Sequence, residues 1–341
     1  MTVTLGLEEV HALTTSTLLA LGASDDNAGA IADTITAAER DECKSHGLFR
    51  LPGYCVALGN GRIDGKSEPV VSELAPAVVQ VDAKGGFAPL ALKRGREPLI
   101  EKARANGIAA MPIVNSYHFA ALWYEVEALA TEGLVAFAFV NSRSYVAPAG
   151  GTKPLFGTDP MSFGWPRRDR PPVVFDQASS ASARGEIMLH HRDGKPIPEG
   201  WAIDKDGNTT TDPAAGLAGA QLPFGGYKGS GIALMVELMA AGLPRNCFGP
   251  ESAADDTGDG GPAKGGELML AMDPARFVAD GDAAASLDHA EGLFSNLLGQ
   301  EGTRLPSDRR YAARERTPRE GATIPRPLHE QILEIRDRAG A

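Results

Sequence analysis

The sequence predicts an α/β fold, with a mixed, layered sheet in its middle and a helical part formed by both ends of the chain. Helical periodicity fills roughly the first 60 residues, strands and helices then alternate up to residue 140, and two helical segments close the chain. Of the 341 residues, 43% are hydrophobic and 23% are charged. This is the composition of a globular protein with room for about two domains.

The first three elements should be helices. Apolar residues recur at helical spacing over 10–21, and a second helix begins after Ser24. Because Pro52 fits best in a first turn, the third helix should begin near it and end at 59–61. Residues 45–47 then lie in the preceding loop.

The middle of the chain should alternate between strands and helices. The predicted order is strand 77–81, helix 90–105 interrupted or restarted at Pro98, strand 108–114, helix 119–131, strand 134–140 and, after a Gly/Pro-rich stretch, strands 161–165 and 172–175. Turn-forming residues fill 192–213 and predict an exposed excursion with a short hairpin.

The last third of the chain begins with an apolar run over 232–241 that predicts a helix. Residues 250–267, with five glycines and five acids, predict a mobile loop. Two terminal helices should follow, near 284–298 and 328–339, joined by a basic-rich run over 304–316.

Charge and composition exclude several classes of protein. The chain has 33 Lys and Arg against 44 Asp and Glu, a net charge of -11. We expect no nucleic-acid partner, because phosphate contacts need a basic face. We expect no membrane partner, because no window has the ~18 uncharged apolar residues of a membrane helix. The acid-containing first segment has no leader pattern and predicts a cytoplasmic location. Three cysteines without CxxC spacing predict reduced thiols and no metal site.

The first candidate for chemistry is Ser45-His46-Gly47, with Arg50 close behind. An imidazole exchanges protons near neutral pH, a neighbouring hydroxyl can orient it, and a guanidinium can hold a carboxylate bidentately. From the local sequence alone, a loop histidine and a surface arginine are the simpler explanation of the same residues.

Two further segments could bind a ligand. Residues 115–118 end with a histidine at a predicted strand-to-helix junction, where ligands gather in layered α/β proteins. That histidine could instead cap the helix above a core of Phe119 and Trp123. The segment 225–231, GGYKGSG, could bring its backbone and Lys228 close to a phosphate, or could be a simple tight turn.

Several familiar motifs are missing from the sequence. Lys228 is followed by glycine where a P-loop needs Ser or Thr, and no G-x-G-x-x-G joins an early strand to a helix. HExxH, EF-hand and GxSxG motifs are also absent. An ordinary Rossmann dinucleotide site is therefore not expected, and an unusual cofactor site or cofactor-free chemistry stays open.

Seven segments of the chain are specific enough to indicate relatives: SHGLFRLPGY (45–54), VAPAGG (146–151), FGTDP (156–160), FDQASS (175–180), GKPIPEGW (194–201), TDP (211–213) and LPFGGYKGSG (222–231). In this order, over roughly residues 5–311, the chain resembles the malate/L-lactate dehydrogenase-like oxidoreductase family. Glu186 and the segments NSYHFAALW (115–123) and RLPSDRRY (304–311) are most similar to the branch that reduces Δ1-piperideine-2-carboxylate and Δ1-pyrroline-2-carboxylate.

The resemblance implies a non-Rossmann NAD(P)-binding fold, a homodimer, and specific roles for residues. Ser45, His46 and Glu186 would form a proton relay, and Arg50 and Thr158 would bind the substrate carboxylate. The cofactor would be NADPH, with NADH as the other option, bound along His118, Phe119, Ala120, Ala121, Leu122, Asp176, Gln177, Ala178, Arg184, Tyr227, Lys228, Arg304, Leu305 and Pro306. The implied division is a helical part at 1–75, an NAD(P)-binding α/β domain at 76–285, and C-terminal helices at 286–341 that pack on the first part.

The chain departs from this branch at four positions. The branch usually has Asp in place of Glu186, His in place of Arg184, Asn in place of Asp159 and His in place of Tyr227. The longer side chain of Glu186 should still reach His46. The changed cofactor contacts leave the choice between NADPH and NADH open.

The sequence thus predicts an NAD(P)H-dependent reductase of small, anionic cyclic 2-imino acids, with L-proline and L-pipecolate as products. One alternative is a 2-hydroxy acid dehydrogenase of malate, lactate or ureidoglycolate type, which could use the same His46 and Arg50. Many such relatives have Lys where this chain has Glu186. The other alternative is a nucleotide-binding protein without catalysis, in which His46 and Glu186 are not in contact.

Overall fold

The computed structural model describes residues 1–118 and 121–340, and the chain begins with a helical part. The first elements are β1 (Thr2–Leu5), α1 (Leu7–Ala20), α2 (Asp25–Arg40), two 3₁₀ turns (Lys44–His46 and Leu48–Arg50) and α3 (Leu51–Gly59). Ser24 caps α2, because its hydroxyl accepts a hydrogen bond from the amide of Asn27. The three predicted helices are confirmed. In the predicted loop at 45–47, Ser45 and His46 belong to the first 3₁₀ turn and Gly47 joins it to the second.

Strands and helices alternate through the middle of the chain, as predicted. The elements are β2 (Val70–Ala75), β3 (Val78–Asp82), α4 (Ala88–Asn106), β4 (Ile108–His118), α5 (Leu122–Thr131), β5 (Val135–Val140), β6 (Met161–Trp165), β7 (Val173–Gln177) and α6 (Arg184–Arg192). The excursion contains the predicted hairpin, formed by β8 (Ala202–Ile203) and β9 (Thr209–Thr210).

The remaining elements run from the excursion to the carboxyl end. They are α7 (Pro213–Ala218), β10 (Ala220–Gln221), α8 (Tyr227–Glu237), a π-helical turn (Leu238–Gly242), α9 (Gly249–Ala254), β11 (Ala263–Met272), a 3₁₀ turn (Pro274–Arg276), α10 (Ala283–Leu298), α11 (Asp308–Glu320), β12 (Ala322–Pro325) and α12 (Arg326–Ala339).

A mixed sheet forms the centre of the described chain, in the order β2-β3-β4-β11-β5-β6-β7. Strands β3 and β4 are parallel, and the other neighbours are antiparallel. One apolar core lies under this sheet and includes Val81, Leu99, Met111, Ile113 and Trp123. The predicted layered α/β arrangement is confirmed.

Both ends of the chain build the helical part. Strand β1 pairs antiparallel with β12, from Thr2 opposite Pro325 to Leu5 opposite Ala322. A second apolar core joins residues of α1, α2 and α3 to residues of β12 and α12. The predicted helical part from both termini is therefore confirmed, although the sequence pattern did not predict β1, β2 or β12.

Pro98 does not interrupt α4, contrary to the prediction. The helix runs unbroken through this proline, with Leu90 and Ala91 buried before it and Leu99 and Ile100 buried after it. Packing of both halves on the sheet therefore outweighs the loss of one helical hydrogen bond.

The predicted loop at 250–267 is wrong at both ends, because its start lies in α9 and its end is the start of β11, between β4 and β5. Residues 255–262 between them lie outside helices and strands. The two glycines in β11, Gly265 and Gly266, mark close approach of other backbone. A Cβ at Gly265 would lie 2.7 Å from the carbonyl oxygen of Asn141, and a Cβ at Gly266 would collide with the carbonyl oxygen of Ala240.

Two helices differ from the prediction in extent. Helix α8 begins at Tyr227 rather than at residue 232, so it includes the glycines at its start. A Cβ at Gly229 would lie 2.5 Å from the carbonyl oxygen of Phe224 and 2.6 Å from that of Ser179, which explains the glycine. The basic-rich run at 304–316 is not a simple connection, because most of it lies in α11.

The three cysteines are free thiols, namely Cys43, Cys55 and Cys247. Burial raises the pKa of Cys43 to about 11 and of Cys55 to about 12.

None of the helices in residues 1–118 and 121–340 has the length and apolar character to span a membrane.

Arg314 ties α11 to two other elements, and we expect its removal to destabilise the fold. Its guanidinium donates to both carboxylate oxygens of Asp41, at 2.8 and 2.6 Å, and also binds Glu127. The carboxylate of Asp41 is fully buried. Arg314→Leu would remove two hydrogen bonds to that charge and leave it the contact with Arg40, at 2.8 Å. We expect the free energy of unfolding to fall by about 3 kcal/mol.

Denaturant unfolding measures this loss. Arg316→Leu is the matched control, because Arg316 lies on the same helix and binds Glu42 in an exposed ion pair. We expect no measurable change for this control. Equal stability of the two variants would show that the Arg314 network does not hold α11 in place.

Candidate active site

Ser45 and His46 form a polar pair in the first 3₁₀ turn. The hydroxyl oxygen of Ser45 lies 2.9 Å from Nδ1 of His46, and both side chains are half-buried. This contact fixes one ring nitrogen and orients the imidazole. The structure thus gives His46 the local geometry of an oriented acid or base.

Glu39, which the sequence analysis did not single out, supports this turn from α2. It is buried, and its Oε1 accepts a hydrogen bond of 2.8 Å from the amide of Leu48. Burial raises the pKa of Glu39, while the Leu48 hydrogen bond and Lys44 oppose the rise. A Cβ at Gly47 would collide with the Glu39 carboxylate, so the glycine of the motif is a packing requirement.

Arg50 lies beside the Ser45–His46 turn and is half-buried. Its Nε donates to the carbonyl oxygen of Ser45 at 2.7 Å, which links the guanidinium to the polar pair. Burial lowers the pKa of Arg50, and the nearby hydroxyls of Tyr54 and Tyr145 oppose this. A Cβ at Gly185 would lie 3.6 Å from a terminal nitrogen of Arg50, so the guanidinium faces the first turn of α6.

Glu186 lies in that first turn of α6. Its Oε1 is 3.8 Å from Nε2 of His190, and its side chain is about half exposed. The first turn of α6, which contains Glu186, therefore lies next to Arg50. The carboxylate of Glu186 itself pairs with His190. The predicted relay contact with His46 stays a prediction.

Tyr145 is a second residue that the sequence analysis missed. The guanidinium carbon of Arg184 stacks 3.9 Å from its ring centre, and Arg143 donates to its hydroxyl. Burial lowers the pKa of Arg184, with Tyr145 opposing the shift and Arg143 adding to it. Arg184, predicted to bind cofactor, thus lies in a cluster of cations near Arg50.

Thr158 lies in a turn held by the strand-to-helix segment after β7. Its carbonyl oxygen accepts two hydrogen bonds from Ser179, at 2.8 Å from the amide and 2.9 Å from the hydroxyl. The following residue, Asp159, is fully buried and has φ 35, in the left-handed region. The position of Thr158 is therefore set by well-anchored neighbours.

The predicted cofactor residues come together around the end of β7. Burial raises the pKa of Asp176, while Arg310 and the backbone amide of Trp123 oppose the rise. Arg310 lies 3.6 Å from the Asp176 carboxylate and also donates to Ser307. These contacts join three predicted segments: Ala121 and Leu122 at the start of α5, Asp176 to Ala178, and Arg304 to Pro306 before α11.

The glycine segment joins the same region. Gly225 and Gly226 have positive φ angles of 56 and 62, and Ser180 bridges to Pro223. Tyr227 and Lys228 are exposed in the first turn of α8, which has no side-chain cap. The predicted Phe119 and Ala120 lie outside the described residues, as does the side chain of His118.

These residues fit an anionic dinucleotide. Lys228 is an exposed cation in the uncapped first turn of α8, beside a glycine turn that leaves its backbone accessible, and Arg304 is an exposed cation in the segment before α11. The donor set therefore suits phosphate groups. Among the described residues, no three His, Cys, Asp or Glu side chains gather as a metal site.

A family model and individual sequence relatives agree on the family of this chain. Residues 5–333 match the family model described as malate/L-lactate dehydrogenase. The chain is 50% identical over 329 residues to a Δ1-pyrroline-2-carboxylate/Δ1-piperideine-2-carboxylate reductase of Pseudomonas aeruginosa, covering 96% of this chain and 98% of the relative. It is 49% identical over 330 residues to a Δ1-pyrroline-2-carboxylate reductase of Ancylobacter novellus, covering 97% and 96%.

A solved structure agrees with these sequence relatives. The crystal structure of Δ1-piperideine-2-carboxylate reductase from Pseudomonas syringae superposes with a TM-score of 0.90 at 41% identity. The match covers 98% of this chain and 99% of that chain. The similarity therefore extends over the sheet, the helical part and the candidate site.

Proposed function

Because the chain belongs to the malate/L-lactate dehydrogenase family, we propose that it reduces cyclic 2-imino acids with a nicotinamide cofactor. The substrates are Δ1-pyrroline-2-carboxylate and Δ1-piperideine-2-carboxylate, and the products are L-proline and L-pipecolate. The observation that supports this best is the Ser45–His46 pair, 2.9 Å apart, beside the half-buried side chain of Arg50.

Each residue of the site has a separate role in the proposed reaction. A cyclic imine becomes electrophilic at C2 when its nitrogen is protonated, and His46 holds the proton at that nitrogen. Ser45 orients the imidazole through Nδ1. Arg50 and Thr158 hold the substrate carboxylate, so that C2 is positioned for reduction. The nicotinamide, when bound, supplies the hydride.

We propose NADPH as the preferred cofactor, with NADH as the alternative. The family implies a nicotinamide cofactor, and the exposed cations Lys228 and Arg304 suit its phosphates. We assign its binding to the α/β part at 76–285 together with the segment before α11. We also propose a homodimer and a cytoplasmic location, both from the sequence. Light scattering tests the homodimer, because it measures the molar mass of the protein in solution.

A binding and turnover experiment separates this enzyme from a nucleotide-binding protein without catalysis. NADPH fluorescence is recorded with the protein alone and then after addition of Δ1-pyrroline-2-carboxylate. We expect a change on binding, then steady loss of NADPH and formation of L-proline, identified by chiral chromatography. Binding without turnover would favour the non-catalytic alternative.

Glu186→Gln should shift the pH dependence of catalysis. In the proposed relay, the carboxylate stabilises the protonated imidazole of His46, so its loss lets His46 release the proton at lower pH. We expect the alkaline limb of kcat to move to lower pH, with a large loss of rate at neutral pH and a smaller loss of cofactor affinity.

The control for Glu186 is His190→Gln, because the structure pairs these two side chains at 3.8 Å. His190 also contacts the carbonyl oxygen of Pro196 at 2.7 Å, which is a structural role. The control should keep the parent pH profile. If the pH profile of Glu186→Gln overlays that of the parent, Glu186 has only a structural role in α6 and is not part of the relay.

A further inference from the structure

Two buried carboxyl groups, Asp159 and Glu237, lie outside the proposed relay. Asp159 is 0% exposed; its Oδ1 accepts a hydrogen bond of 3.3 Å from the amide of Ser142. Within the described residues, Oδ2 of Asp159 has no hydrogen-bond partner. Glu237 is 4% exposed and accepts hydrogen bonds from Asn141, at 3.0 Å, and from the amide of Gly249.

The two carboxyl groups share one piece of backbone. A Cβ at Gly157 would collide with Oδ1 of Asp159 and would lie 2.8 Å from the carbonyl oxygen of Ser142. A Cβ at Gly249 would lie 2.6 Å from Oε1 of Glu237 and 3.1 Å from the same Ser142 oxygen. Both carboxyl groups also interact with the backbone amide of Gly157, and the missing side chains of Gly157 and Gly249 leave the space that the two acids occupy.

Burial and mutual repulsion keep a proton on this pair. Burial raises the pKa of Asp159 well above its ordinary value, and the charge of Glu237 adds to the rise. Burial also raises the pKa of Glu237, to about 7, and Glu251 in α9 adds to it.

Among the described residues, the charges that act most on the pair are acidic, and the nearby cation Lys264 of β11 acts on the neighbouring thiol of Cys247. Asn141 at the end of β5 is neutral, and the loop before α9 contributes the thiol of Cys247, whose pKa is raised by burial. In β11, the buried acid Glu267 lies opposite Val140, one residue before Asn141. A second negative charge at the pair would therefore be strongly unfavourable.

Asp159 also shapes the turn that carries Thr158. It has φ 35, and its carboxylate binds the Ser142 amide across the turn, while Ser179 anchors the carbonyl oxygen of Thr158. Ser179 thus holds the turn on one side, and the carboxylate of Asp159 holds it on the other. The charge on the Asp159–Glu237 pair therefore affects the position of the turn.

We propose that Asp159 is a positioning residue: it shares one proton with Glu237 and holds Thr158 in place to bind the substrate carboxylate. This inference rests on the proposed function of Thr158. When both acids are charged at alkaline pH, their repulsion displaces the turn and weakens substrate binding. Asn is usual at this position in the branch that the chain resembles, so an amide should be accepted there.

Linkage gives the direction of the stability effect. The ordinary pKa values are 3.8 for Asp and 4.5 for Glu, and both groups are raised in the folded chain. The pair's contribution to stability is therefore complete below these values and is lost as pH rises through the folded pKa of about 7 for Glu237.

The test compares Asp159→Asn with the parent enzyme over pH. The parent KM for the cyclic imine, divided by that of the variant, should rise about threefold or more between about pH 6 and about pH 9. The kcat profile, which depends on His46, should be the same in both. The melting temperature of the variant should exceed that of the parent by a margin that widens over the same range. Glu237→Gln should give the same two trends and serves if the first variant does not fold.

The outcomes separate this inference from the proposed function. A KM ratio that stays constant with pH overturns the positioning role, even if the melting temperatures diverge. Parallel melting temperatures overturn the shared proton. If the parent reduces 2-oxo acids and not cyclic imines, the proposed function fails, and the KM ratio measured with oxaloacetate then decides the role of Asp159. No turnover of either class overturns both.

Discussion

His46→Ala should lower kcat for cyclic imine reduction by a factor of about 10² to 10⁴, the usual contribution of a positioned general acid. The structure places Ser45 Oγ 2.9 Å from Nδ1 of His46, an arrangement that orients the ring for proton transfer. The variant should bind NADPH within a few-fold of the parent, because His46 is assigned to proton chemistry. Steady-state kinetics and NADPH fluorescence measure the two quantities separately.

The matched control is His11→Ala. His11 is a partly exposed histidine of α1 that contacts Asp33 at 3.2 Å, away from the candidate site. This variant should keep parent kinetics. If His46→Ala retains most of its activity, the proton comes from another group and the relay assignment is wrong.

Arg50→Lys should raise the substrate KM by about 10- to 100-fold, because an ammonium cannot reproduce the fork of a guanidinium. Nε of Arg50 donates to the carbonyl oxygen of Ser45 at 2.7 Å, and its terminal nitrogens face the start of α6. A lysine cannot bind Ser45 and a carboxylate at once in the same directions. Part of the loss should therefore appear in kcat, through a less ordered Ser45.

Initial rates over a range of imine concentrations measure this effect. Arg316→Lys is the control, because Arg316 is an exposed arginine that pairs with Glu42 on the surface. An unchanged KM for Arg50→Lys would mean that the substrate carboxylate binds elsewhere.

Local sequence signals predicted much of the fold. The cap at Ser24 and the proline at the start of α3 describe events within a few residues, so the structure follows them closely. The failures concern non-local packing. Pro98 is accepted because the sheet buries both halves of α4. The start of β11 was missed because its glycines allow close approach of Asn141 and Ala240, which only the tertiary fold brings there.

The candidate site shows the same division. Ser45, His46 and Arg50 are close in sequence, and the structure joins them by hydrogen bonds of 2.9 and 2.7 Å. Glu39 and Tyr145 were missed because only the tertiary fold brings them to the site. A signal for Glu39 did exist, since it is an acid on the buried face of α2, where most of the other residues are apolar.

A parallel reductase assay tests the central claim most directly. Initial rates of NADPH oxidation are measured with Δ1-pyrroline-2-carboxylate, Δ1-piperideine-2-carboxylate, pyruvate and oxaloacetate under identical conditions, and repeated with NADH. We predict that kcat/KM for the better cyclic imine exceeds that for either 2-oxo acid by about 100-fold or more. An equal or higher kcat/KM for pyruvate or oxaloacetate would contradict the account and identify a 2-hydroxy acid dehydrogenase.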